Sequence, residues 1–286
     1  MLVDRRRGNL PAAQLRIERA DSSSAIDEGR QLVLFDTLPL WLLFLLTVVI
    51  TLSSVELGNR IARRRRQRSE EKKEAPAAGM VGATLGLLAF MLAFTFGMAA
   101  SRFDTRRQLV FTEANAIGTA YLRAGLLPEP MRTESRSLLR QYVDTRLAGA
   151  QPGKTAQAIA KSEELHNLLW AQAVALAEKE RTAITSLFIQ SINSVIELHT
   201  ARVTALQNRI PGAIWLGLYL LAVLAMSALG YQEGSASDRR SLASFALVIA
   251  FSAVLILIAN LDRPGQGLLQ VSQQSMIELQ KSMTSQ

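Results

Sequence analysis

The chain has 286 residues, 49% hydrophobic but only 6% aromatic, with a positive mean hydropathy and a formal charge of +8. With no cysteine it can form neither a disulfide nor a thiolate metal site, and it has no thiol nucleophile. A pI near 10.3 alone would suggest nucleic acid, but most arginines flank apolar runs, where they anchor helix ends and set orientation, and no nucleic-acid-binding signature accompanies them.

Residues 1–36 read as a polar, mixed-charge arm. Arg5, Arg6 and Arg7 stand where a signal peptide keeps its positive charge, but no apolar segment follows closely. The first predicted span covers residues 37–58, with Trp41 placed as an interfacial aromatic and Glu56 four residues before Arg60, the spacing of a helical ion pair. The segment 59–78 holds eight Lys or Arg in twenty residues and is short enough for the positive-inside rule, which places it in the cytoplasm beside anionic lipid.

The second span, 79–101, has 23 residues without an ionisable side chain, enough to cross a hydrocarbon core of ~30 Å at ~1.5 Å per residue. Gly82-x-x-x-Gly86 is a small-residue pattern that permits close helix approach. Phe90, Phe94 and Met98 follow at (i, i+4) steps and share one face, which spacing alone would assign to lipid or to ordinary packing. Arg102, Arg106 and Arg107 then end the apolar run, while Phe103, Val110, Ala114, Ile117 and Tyr121 continue at helical spacing. The spanning helix is therefore expected to run straight into a polar domain.

That domain, 102–209, is expected to be all-helical. Its first helix should end near Leu127, since Pro128 disfavours helical geometry in the residue before it. A second, about 129–147, would turn Leu138, Tyr142, Val143 and Leu147 inward and Arg132, Arg136, Arg140 and Arg146 outward. A third, about 155–179, lines up Leu165, Leu169, Ala173 and Leu176, and a fourth starts after Thr182 as N-cap. The third span, 210–230, has Pro211 and Gly212 at its start, a ten-residue hairpin covers 231–240, and the fourth span, 241–261, is closed by Asp262, Arg263, Pro264 and Gly265. The tail to residue 286 carries a short amphipathic piece, 275–283, suited either to the membrane surface or to the helical domain. The expected fold class is thus an all-α membrane protein with four transmembrane helices and an extramembrane helical domain between the second and third spans.

Enzyme signatures fail. Gly149 to Thr155 imitates a phosphate-binding loop but has three residues, not four, between its glycines and follows a helix rather than a strand. Glu163-x-x-His166 has di-iron spacing without a second copy, because Glu197 and His199 are one residue too close. His166 reads as a solvated surface residue. His199 reads as partly inside the domain, with no serine or carboxylate tied to it. No span carries an ionisable residue in its middle, which points away from a proton relay. The expectation is a non-enzyme with no cofactor and no metal.

LAFTFGMAASRFDTRRQLV resembles the second transmembrane helix of bestrophins, the pentameric anion channels. A fuller set is closer to the bacterial bestrophin-like domain family: SRFDTRRQLVFTEANAIGTAYLRAGLLPEP, LHTARVTALQNRIP, GYQ and LDRPGQGLLQVSQQS, spread from about Leu38 to Ser275. The resemblance implies a homo-oligomer, a pentamer if it follows bestrophins, conducting small anions through a lipid bilayer. It places pore-neck positions on Phe90 and Phe94, with a third on Gly86, too small for an apolar ring, and Met98 on the same face. Asp104 stands where bestrophins usually carry tryptophan, and no acidic run follows Asp262, so calcium gating is not implied. Arg102, Arg106 and Arg107 would form a positive mouth.

Orientation divides the two lines of argument. The resemblance puts both termini and the helical domain in the cytosol, whereas positive-inside counting puts 59–78 and 231–240 there and the termini and domain outside. Exporting a 36-residue arm with six arginines argues against the second. The charge rule is preferred, in a bacterial inner membrane. The alternative function is a non-conducting membrane sensor or scaffold whose helical domain binds a partner protein or ligand.

Overall fold

The computed structural model describes residues 38–68, 77–236, 242–264 and 269–285. The polar arm with Arg5 to Arg7, residues 69–76 of the basic segment, residues 237–240 of the hairpin and Gly265 lie outside them. The described residues form eight helices and no strand: α1 (Leu40–Arg68), α2 (Ala77–Ala124), α3 (Met131–Gly149), α4 (Thr155–Lys179), α5 (Ala183–Gln207), α6 (Gly212–Ala236), α7 (Leu242–Asp262) and α8 (Gln274–Thr284).

Four stretches are long and apolar enough to cross a membrane; they lie in α1, in α2, in the run from Ala183 to Ser235 that includes α6, and in α7. Their amphipathic periodicity is weak because lipid and protein solvate an apolar surface alike, so all faces can be apolar. Two of them outlast their apolar runs. Helix α1 continues to Arg68, so the basic segment begins as helix, and its Arg60 Nε donates to Glu56 at 2.8 Å. Helix α6 continues to Ala236, so the expected hairpin starts as helix as well.

Contacts divide the chain into two units. The first draws on the described residues up to Leu88 and on those within Pro211–Ser252. Here α1 packs along α6 on glycines: a Cβ on Gly58 would collide with the Ser227 carbonyl, one on Gly230 with the Val55 carbonyl, and one on Gly234 would lie 2.6 Å from Asn59 Oδ1. Small residues let backbones approach where lipid supplies no hydrophobic drive. The pattern singled out from sequence, Gly82 and Gly86, meets no atom within 4 Å. Spacing cannot show which glycine pair finds a partner. The Thr47 and Tyr219 hydroxyls add a hydrogen bond of 2.9 Å between α1 and α6.

The second unit draws on Ala89–Ile210 and Ala253–Gln286. Its core joins Ile117, Tyr121, Leu139, Tyr142, Leu165, Leu169, Phe188 and Ile192, all buried. Helix α2 enters it as the uninterrupted continuation of the second apolar run. Helix α2 ends at Ala124, three residues before Leu127, and Pro128 lies within the loop that leads to α3 at Met131; α4 begins at Thr155, and Thr182 caps α5 by accepting the Thr185 N–H at 3.2 Å. The tail packs on this domain: Met276 and Met283 enter the core, Tyr121 Oη donates to the Met283 carbonyl at 3.2 Å, and Gln280 Nε2 to Asp144 Oδ1 at 2.6 Å.

Candidate functional site

The expected pore face lies on α2. Phe90 is 66% and Phe94 59% exposed, Gly86 is exposed, and Met98 is half-buried. A Cβ on Gly86 or Gly97 would meet nothing within 4 Å. Two large aromatic rings and adjacent glycines are thus left uncovered by the described residues, while Leu88, Leu92 and Ala99 of the same helix are buried.

The three arginines beyond this run part company. Arg107 is exposed and Arg102 half-buried, its Nη1 3.9 Å from Asp262 Oδ1. Arg106 is buried and belongs to no open mouth: Nη2 donates to the Leu261 carbonyl at 2.7 Å, Nη1 to the Asp262 carbonyl at 3.1 Å and Nε to the Arg102 carbonyl at 3.3 Å. The last carbonyls of α7 have no partner within the helix, and a guanidinium there satisfies them and opposes the negative end of the helix dipole. Asp262 Oδ1 in turn accepts the Ile210 N–H at 3.0 Å, fixing the chain just before Pro211. This junction brings together three of the quoted stretches, SRFDTRRQLV, QNRIP and LDRPG, that are distant in sequence.

A second polar group lies inside the helical domain. Glu113 of α2 is fully buried between Arg146 of α3, whose Nε is 3.2 Å from Oε1, and Arg202 of α5, whose Nη1 donates to Oε2. Tyr142 Oη donates to Glu113 Oε1 at 2.7 Å and lies 3.3 Å from His199 Nδ1. Because the phenol proton is committed to the carboxylate, the neutral His199 carries its proton on Nδ1 and donates to the phenol oxygen. The ring of His166 packs 4.8 Å from both Tyr142 and His199, and the two imidazole Nε2 atoms are buried without a partner. Burial and then the Glu113 charge raise the Tyr142 phenol well above its ordinary value. Burial first, then His199, lowers His166 to about 4, so it is neutral at physiological pH.

This cluster corrects two expectations. Arg146 points inward, not outward, and His166 is buried, not solvated. Both follow from register: Arg146 lies four residues after Tyr142 and seven after Leu139, and His166 lies three before Leu169, all buried. His199 is more deeply buried than expected and is tied, through Tyr142, to a carboxylate that sequence reasoning passed over. Glu113 sits between Val110 and Ile117 on the inward stripe of α2, and an acid there is the signal that was available. One carboxylate shared by two guanidiniums and a phenol ties α2, α3 and α5 together, with α4 joined through His166. Among the described residues, no group of three or more His, Cys, Asp or Glu is placed to hold a metal ion.

An all-helical chain with four membrane-length apolar stretches and a helical domain entered by continuation of the second defines a class of multi-pass membrane protein. Residues 45–276 match the family model described as Bestrophin-like domain, and the chain belongs to that family. None of the curated proteins matches. The fold is similar to crystal structures of a bacterial bestrophin homologue from Klebsiella pneumoniae. Two single-substitution variants match with 16% and 17% identity, each with a TM-score of 0.59, covering 84% and 86% of this chain and 99% of theirs. The crystal structure of a membrane protein carrying a single substitution is similar too, with a TM-score of 0.60 and 16% identity over 86% of this chain and 98% of its own.

Proposed function

We propose that the chain assembles as a ring of identical subunits and conducts small anions, with α2 lining the axis. The observation that carries this is the uncovered face of α2, where Phe90 and Phe94 are 66% and 59% exposed. In a ring these side chains form an apolar constriction that gates by dewetting, and their positive ring edges face the permeating anion. Gly86 widens the path beyond them and Met98 continues the same face. Arg102 and Arg107 supply a positive mouth that raises the local anion concentration, while Arg106 holds the end of α7. Family membership supports the reading, since bestrophins are anion channels.

The test is chloride flux into liposomes containing the purified oligomer, with Phe94→Ala beside the unsubstituted protein. Flux that rises or changes voltage dependence on Phe94→Ala supports a gate on α2. No flux from a folded oligomer, over a range of voltage and pH, refutes conduction and leaves a non-conducting scaffold. Flux indifferent to Phe94→Ala moves the constriction elsewhere.

The site of action is the bacterial inner membrane, with residues 59–78 in the cytoplasm. The absence of cysteine makes orientation directly testable. In spheroplasts, a membrane-impermeant maleimide labels Lys161→Cys and spares Ser235→Cys if this orientation holds; the reverse pattern overturns it.

A further inference from the structure

The helical-domain unit contains a cavity of about 460 Å³ that conduction does not require. It is walled by the exit of α2, the ends of α3 and α5, the start of α4 and the segment after α7. Its lining includes apolar side chains, among them Phe103, Leu109, Leu206 and Val271, and four arginines, Arg106, Arg146, Arg202 and Arg263; among the described residues no Asp or Glu lines the space. A volume of this size accommodates a small organic molecule.

Two of those guanidiniums have donors to spare. A guanidinium has five N–H groups. Arg146 directs Nε to Glu113, and Arg202 directs Nη1 to the same carboxylate. Their remaining N–H groups have no acceptor among the described residues, although their side chains are only 5% and 12% exposed. Arg106, by contrast, uses all three nitrogens on carbonyls. One carboxylate opposite two arginines leaves a positive excess beside the cavity, and the unpaired nitrogens are not among the atoms sealed from solvent, so they stay open to a further anion.

The backbone adds to this field. Thr155 and Ala156, the first residues of α4, line the cavity, and the preceding Lys154 gives that helix no side-chain cap. Their N–H groups and the positive end of the helix dipole therefore remain for a guest. Gln273, whose Oε1 is buried without a partner, also lines the cavity.

We infer that this cavity binds a small amphipathic carboxylate, its charged group held by Arg146, Arg202 and the start of α4 and its carbon body against Phe103, Leu109 and Leu206. The planar fork of a guanidinium suits a carboxylate, and the apolar half of the wall requires a carbon body that inorganic phosphate lacks. The site is independent of whether the spans conduct. It also reaches the Glu113 cluster, so an occupant draws on the same arginines that join α3 and α5 to α2.

The experiment is calorimetric titration of the full-length protein in a neutral detergent with hexanoate, and with hexanol and sodium phosphate at matched pH and ionic strength. Saturable binding is expected for hexanoate alone. Two variants localise it. Val271→Trp fills the cavity from a segment outside the helices and leaves the ion cluster intact. Arg202→Gln keeps a donor for Glu113 while removing the charge. Each is expected to weaken hexanoate by roughly tenfold or more, a change of about 1.4 kcal/mol, with the protein still folded by its melting transition. Equal binding of hexanol or phosphate overturns the inference, as does hexanoate binding unchanged in Val271→Trp. So does no saturation by roughly 10 mM, some tenfold above a millimolar Kd.

Discussion

Replacing Glu113 by glutamine tests the centre of the helical domain with almost no change of shape. The carboxylate is fully buried and meets Tyr142 Oη at 2.7 Å, Arg146 Nε at 3.2 Å and Arg202 Nη1. Glutamine keeps one acceptor oxygen and turns the other site into a donor facing a guanidinium. Arg146 and Arg202 are then left in a dry interior without a counter-charge. Removing one partner of a buried ionic group costs about 3–5 kcal/mol. At about 2–4 °C per kcal/mol for a domain of this size, Glu113→Gln should lower the melting temperature by roughly 6–20 °C. The measurement is the thermal transition of the purified full-length protein in detergent, followed by tryptophan fluorescence. Tyr142→Phe, which removes the charge-assisted hydrogen bond to Glu113 and the acceptor of the long His199 contact but leaves the cation–carboxylate pairs, should lose at least about 1.5–3 kcal/mol. A triple replacement, Glu113→Leu with Arg146→Met and Arg202→Met, should recover much of the loss, because an apolar filling of the same volume avoids the desolvation cost. A Glu113→Gln protein that melts with the unsubstituted one would refute a buried ionic centre.

Acid should weaken the domain through His166 and His199. Each has a folded value of about 4 against an ordinary 6.5, so the unfolded chain binds these protons first as pH falls. Stability is therefore fully present above about pH 6.5 and declines between there and pH 4; His166→Phe should flatten that slope in a melting-temperature series, and an unchanged slope would assign the acid loss elsewhere. Gly230→Ala drives a methyl into the Val55 carbonyl and should separate α1 from α6, seen as lost monodispersity in detergent. Gly217→Ala on the same helix meets no atom within 4 Å and should behave as the unsubstituted protein. Met276→Ala removes a fully buried side chain that anchors α8 and should cost about 2–5 kcal/mol in the same melting assay; a smaller loss would mean that the tail does not belong to the core.

Local chemistry made much of the fold legible before any coordinates. The apolar runs are longer than any soluble helix needs, so their existence followed from hydropathy alone. Thr182 before α5, Lys179 at the end of α4, and the continuation of α2 beyond Ser101 are all governed by neighbours in sequence. The amphipathic tail was legible as a helix, but its partner was not, because two apolar surfaces, lipid and domain, satisfy the same stripe. The face bearing Phe90 and Phe94 could be marked by period and resemblance, and its exposure adds that nothing among the described residues covers it.

Register against neighbours in space decided the rest. Arg106 carries the same charge as Arg107, yet one closes the end of α7 and the other faces outward, a difference set by where a helix 155 residues away terminates. Arg146 and His166 read as solvent-facing because polar residues usually are, and only the assembled core shows that Glu113 compensates the arginine and that the histidine is held neutral. Composition and periodicity determine that this chain spans a membrane with helices and builds a helical domain between them. Which charges are buried, which glycines touch and which cavity opens among the arginines depend on long-range contacts, whose energies no single stretch of sequence contains.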